Sequence, residues 1–255
     1  MEETMRKELL TLTAALTLTI GCGEDTENDD TDTPVDPPAD TAQLRVAHFS
    51  PDAPAVDIFV NAGEAPAFAG AGFSQFTDYA ELPVDTYDVQ ISAAGTTAAD
   101  AVFTVEGIAV EKDASYTAIA HGYLAGGDGT SAFDVTLLED NRDEIPDGFF
   151  RVQVVHAAAL GAFGNVDVWS VGNPDEPVAL IPDFPYADAV TTELPSGAYT
   201  ICLDVNDDAT CDAVFALPEI TSGFVNLIAT NDTDGVPFLI AVLDDGTQAR
   251  IDAAQ

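Results

Sequence analysis

Two histidines occupy matching places in the two halves of this chain. His48 ends the run Leu44-Arg-Val-Ala-His48, ahead of the turn Ser50-Pro-Asp-Ala-Pro54, and His156 ends the run Phe150 to His156. A Val-Asp pair follows each: Val56-Asp57 after the first and Val166-Asp167 after the second. An imidazole oriented by a carboxylate could serve as a ligand or a general base. A neutral imidazole also has one donor and one acceptor, which suits it to pinning a turn. No G-x-S-x-G motif accompanies the pair, and with His121 the three histidines do not form H-E-x-x-H. The expectation is that the chain is not an enzyme. Catalysis by His48 or His156 is the less favoured alternative.

A second constellation is acidic. Asp204, Asn206 and Asp208 alternate as the oxygens of a calcium loop do, with Asp212 closing the segment. Ala209 stands where such a loop needs Gly, and Phe215 where it needs a bidentate Glu. The competing reading is an acidic hairpin tip. No cofactor is expected, with calcium as the one open alternative. Cys202 and Cys211 flank this loop, and a hairpin turning about Asn206-Asp207 places them opposite each other, within reach of a disulfide.

The elements that must position these residues are short strands. Val56-Asp-Ile-Phe-Val60 alternates with period two, and turn signals recur throughout. The cassette Glu81-Leu-Pro-Val-Asp-Thr-Tyr87…Asp100-Ala-Val-Phe103 returns as Glu193-Leu-Pro-Ser-Gly-Ala-Tyr199…Asp212-Ala-Val-Phe215, offset by 112 residues at both ends (193 − 81 and 215 − 103). Tyr87 and Tyr199 stand where a tyrosine corner would bond back to its turn. The expected fold is all-β, with two tandem immunoglobulin-like antiparallel β-sandwich domains at 43–140 and 149–247. A linker spans 141–148 and a C-terminal tail spans 248–255.

The N-terminus reads as an export segment. Arg6-Lys7 precede an apolar run from Leu9 to Gly21, shorter than the ~20 residues of a spanning helix. Leu18-Thr-Ile-Gly-Cys22 resembles a bacterial lipobox. It implies a lipoprotein signal peptide over 1–21 and a lipidated Cys22. Residues 22–42 then read as an acidic, Pro- and Thr-rich disordered tether. With 45 acidic residues against 7 basic ones the net charge is −38, which argues against nucleic acid as a partner.

Arg45-Val-Ala-His-Phe-Ser-Pro-Asp-Ala-Pro-Ala-Val-Asp57, followed by Leu82-Pro-Val-Asp-Thr-Tyr87, resembles the bacterial domain of unknown function 4397. The resemblance extends over residues 44–140 and, more weakly, 150–246, where Ala157 to Gly164 replaces the Ser-Pro-Asp-Ala-Pro turn. It implies an exported all-β protein of the cell envelope, often a lipoprotein, and no particular activity. The expectation is a binding or structural module held on a membrane, on the outer membrane of the envelope, by its N-terminal lipid and facing periplasm or exterior. Its partner would be a protein or a glycan, and a calcium-stabilised scaffold is the alternative.

Overall fold

The computed structural model describes residues 40–127, 129–171, 178–206 and 208–254. The export segment, Cys22 and nearly all of the expected tether lie outside these residues. What is described is strand after strand, as the period-two pattern predicts, with two single-turn 3-10 segments.

The first half contributes β1 (Thr41–Phe49), β2 (Val56–Val60), β3 (Phe68–Ala71), β4 (Gln75–Phe76), β5 (Ala80–Pro83), β6 (Thr86–Ala93), β7 (Phe103–Ala109), β8 (Ser115–His121) and β9 (Asp134–Glu139). The second contributes β10 (Phe149–His156), β11 (Asn165–Ser170), β12 (Val178–Pro185), β13 (Ala189–Pro195), β14 (Thr200–Asp204), β15 (Ala213–Ala216), β16 (Phe224–Asn231), β17 (Pro237–Leu243) and β18 (Gln248–Asp252). The strand orders are β3-β2-β6-β7 and β4-β1-β8-β9 in the first half, with β5 beside β4 along β1. In the second half they are β12-β11-β14-β15 and β13-β10-β16-β17-β18. The halves therefore share one connection order, with β13 standing where the broken pair β4 and β5 stands.

Two details depart from the expected antiparallel, immunoglobulin-like arrangement. In each half the first strand pairs in parallel with a late one, β1 with β8 and β10 with β16. An immunoglobulin domain keeps its first two strands in one sheet, whereas here they lie in opposite sheets. The reason is the Ser50 to Pro54 turn and its counterpart, which carry the chain across the sandwich instead of along one sheet. The expected C-terminal tail at 248–255 also contains a strand. Gln248 to Asp252 alternates exposed and half-buried residues, and β18 pairs with β17 through a turn at Gly246.

Three cores hold the described residues together. Leu44, Val46, Ile58, Val89 and Ile91 fill the first sandwich. Phe150, Val168, Leu203, Phe215 and Leu227 fill the second. The third core joins the two halves: Ala47, Phe49, Phe76 and Ile119 meet Val155, Ile228, Phe238, Ile240 and Val242. The sheets containing β1 and β10 are therefore covered on both faces. Strand β17 accordingly reads as a continuous apolar run, Pro-Phe-Leu-Ile-Ala-Val-Leu, and β16 from Phe224 to Ala229 as one broken only by Asn226, with residues alternating between two cores. Each large side chain buried at this seam contributes roughly 1.5–3 kcal/mol.

Candidate functional site

The motif histidines sit at the ends of β1 and β10, each fully buried. His48 Nδ1 accepts the Ser50 amide at 3.3 Å, and its Nε2 lies 3.1 Å from the Pro54 carbonyl oxygen. His156 repeats the pattern: its Nδ1 accepts the Ala158 amide at 3.4 Å, and Nε2 lies 2.6 Å from the Phe163 carbonyl oxygen. A carbonyl can only accept, so both rings carry their proton on Nε2. Each imidazole thus spends both nitrogens on the main chain of the turn it closes. Burial pushes both below the ordinary imidazole value, His156 to about 4, against a smaller upward pull from the accepting carbonyls. They are neutral rings with no free nitrogen.

The aspartates expected to orient them are engaged elsewhere. Asp57, on β2 in the opposite sheet, accepts the Gly70 and Gly95 amides, each at 2.7 Å. Asp167 accepts the Asp183 amide at 2.7 Å. Both fasten neighbouring strands or turns of their own sheet, so the pattern His, turn, Val-Asp does not build a His-Asp pair. The motif's other carboxylate, Asp52, accepts the amides of Leu124 and Ala125, in the loop after the neighbouring strand β8, at 2.7 and 2.8 Å.

The acidic loop after β14 closes on its own amides. Asp204 accepts from Asn206 and Ala209, Asn206 from Asp208, Asp208 from Thr210, and Asp212 from Val205. Among the described residues no group of three or more His, Cys, Asp or Glu side chains is placed to hold a metal ion.

Cys202 and Cys211 form the disulfide, with Cα atoms 5.6 Å apart. The expected register does not hold, however. Cys202 pairs with Val214 rather than with Cys211, because the loop is longer than a hairpin turning at Asn206-Asp207 and β15 starts only at Ala213. The bridge ties the strand to its loop.

Both corner tyrosines bond back four residues: Tyr87 to the Pro83 carbonyl at 2.6 Å and Tyr199 to that of Pro195 at 2.7 Å.

The polar cluster that sequence reasoning missed lies beside the seam. Arg45 Nε donates to Thr117 Oγ1 at 2.9 Å, and Thr117 donates to Asp140 Oδ2 at 2.6 Å. Tyr79 also donates to that oxygen at 2.6 Å, and Asn226 of the second half donates to Asp140 Oδ1 at 3.0 Å. The Arg45 and Arg142 guanidinium carbons lie 4.6 and 4.9 Å from the Tyr79 ring centroid. Burial, reinforced by Asp140, pushes the Tyr79 phenol up to about 12. One buried carboxylate therefore receives donors from both halves, an arrangement that fixes how the sheets meet. At the other end of the seam, His121 Nδ1 lies 2.6 Å from the Tyr186 hydroxyl of the second half, and its Nε2 lies 2.9 Å from Thr136 Oγ1. The available signal was a charged residue, Arg45, inside the otherwise apolar run Leu44 to Ala47.

Residues 42–169 match the family model described as a domain of unknown function (DUF4397). The match runs as one span through the first sandwich, the expected linker and the strands β10 and β11. The chain matches no curated protein.

Proposed function

The chain belongs to the family of the domain of unknown function 4397, and from that premise we propose that it is a non-enzymatic binding or structural module of the bacterial cell envelope. In this reading residues 1–21 direct export, lipid on Cys22 anchors the protein on the outer membrane, and the acidic segment holds the sandwiches away from the surface. The second sandwich is a diverged copy of the first, and the partner is a protein or a glycan. The observation that supports a module over an enzyme is the use of the motif imidazoles. His48 and His156 give both ring nitrogens to their own turns in both halves.

Anchoring is tested by the intact mass of the native protein. The expected mature chain begins at Cys22 and carries acyl groups, since two or more chains hold a protein firmly on a bilayer where one does not. Cys22→Ala should move the protein to the soluble fraction. A native mass beginning at any other residue overturns the anchor.

A further inference from the structure

The two sandwiches differ in one respect that the module reading does not use. The second contains an apolar cavity of about 170 Å³ between its sheets, lined among others by Phe150, Val168, Leu203, Val225, Leu227 and Ala241. That is comparable to the ~150 Å³ apolar cavity that stays dry and admits a small hydrocarbon. A cavity in the first sandwich measures about 30 Å³. Strand register identifies the equivalent positions. Leu44 pairs with Tyr116 where Val152 pairs with Val225, so Val225 occupies the place of Tyr116. Tyr116 pairs with Glu139 where Val225 pairs with Leu243, so Ala241 occupies the place of Leu137. Phe150 and Leu227 replace Ala42 and Ala118 by the same register, which moves bulk to other positions and leaves the slot beside Val225 and Ala241.

The cavity has a route to solvent. Two of its lining residues, Ala179 on β12 and Thr192 on β13, are exposed. These strands are the edges of different sheets and do not pair with each other. A ligand entering between them meets little that could bind an anion. Lys112, Arg142, Arg151 and Arg250 are already paired with carboxylates, and Arg45 is buried at the seam. Glu193, beside Thr192, is paired with Arg151 on the other face of β13, and the chain as a whole has a net charge of −38. An apolar slot with no unpaired cation beside it among the described residues, on a chain of strong negative charge, fits a hydrocarbon without a negative head.

We propose that the second sandwich binds a single alkyl chain of an uncharged molecule, inserted between its sheets through the gap between β12 and β13. The test uses the full chain with Cys22→Ser, so that no acyl group of the protein's own competes. It is titrated with 1-decanol and, separately, with decanoate. Decanol should bind saturably, one per chain, and raise Tm by mass action. Decanoate should bind at least tenfold more weakly. Methyl resonances of Val168, Leu203 and Leu227 should shift with decanol, while those of Ile58 and Ile91 in the first sandwich stay in place. Ala241→Leu, which installs the side chain found at the equivalent position of the first sandwich, should weaken decanol at least tenfold without lowering the Tm of the free protein. If that variant does not fold, the methyl shifts decide alone. Absence of saturable decanol binding, or shifts confined to residues outside the cavity, overturns the proposal. Equal affinity for decanoate overturns the restriction to uncharged ligands.

Discussion

The first sandwich is filled and the second is hollow, although both follow one strand order. Leaving about 170 Å³ empty costs on the order of 4 kcal/mol at ~24 cal/mol per Å³, a large share of a typical net stability of ~5–15 kcal/mol. The second sandwich has features that offset this. It has a strand, β18, beyond β17 where the first half ends at β9, and a disulfide where the first half has Gln90 and Ala99 at the matching offset. Its hairpin is also built differently. Ile91 faces Phe103 in the first half, whereas Leu203, the equivalent of Ile91, faces Ala213, and Phe215 faces Ile201. The cassette that repeats without a gap in sequence thus pairs two residues out of step in space. A slip of two keeps every side chain on its original face, so the alternating pattern survives while the packing changes. Duplicated topology preserves which side a residue faces and leaves free how well the space is filled.

The largest expected effect tests whether the halves can be compared as separate bodies at all. Phe238 is fully buried in the seam, edge-on to Phe73 with ring centroids 6.1 Å apart, and the Arg250 guanidinium carbon lies 3.6 Å from its centroid. Phe238→Ala should cost about 3–5 kcal/mol and leave one cooperative urea transition, because both sheets lose the same core. Two separated transitions in the unaltered protein would show that the halves are independent.

Acid comes next. The folded pKa of His156 is about 4, set mainly by burial, against about 6.5 in an unfolded chain. As pH falls the unfolded state takes up the proton first, so stability is lost between about pH 6.5 and 4. The loss at full protonation is about 3 kcal/mol. His48 is shifted in the same direction by the same cause. His156→Gln keeps an Nε2 donor for the Phe163 carbonyl and should flatten the fall of Tm with pH over that window. An unchanged slope would remove burial of this ring as the cause.

The smallest effect addresses the cavity directly. Leu137→Ala in the filled half should destabilise by about 2 kcal/mol, at the low end for a half-buried leucine. Ala241→Leu in the hollow half should instead stabilise by about 0.5–2 kcal/mol, as cavity filling does. Equal losses in thermal melts of the two variants would mean that the second core is as tightly filled as the first.

Much of this was legible in the sequence because it rests on local chemistry. The strands β1, β2, β10 and β11, the corner tyrosines and the Cys202–Cys211 bridge all follow from alternation, turn residues and cysteine spacing. The edge strands β3, β5 and β12 are short or bulged and rich in Ala, Gly and Pro, and β4 is two residues long, so they carry little period-two signal. The seam left a trace in the apolar runs of β16 and β17, the first broken only by Asn226, which only a strand covered on both faces needs. The two motif aspartates could not be placed from spacing alone, since only the crossing of the Ser50 to Pro54 turn puts His48 and Asp57 in opposite sheets. The cavity left no trace, because a void depends on how side chains from five or more strands meet and not on any one residue.

The double covering of the β1 sheet has a consequence in time. A ribosome releases the first sandwich before the second exists. Its strands are complete once β9 ends at Glu139, yet Ala47, Phe49, Phe76 and Ile119 stay uncovered until β17 has been made, through Val242. At about 5–20 residues per second of synthesis, that interval is roughly 5–20 s. Throughout it the first half leaves these apolar residues open to whatever is nearby, including a neighbouring copy at the same stage. The hazard for this chain falls while its second half is still missing.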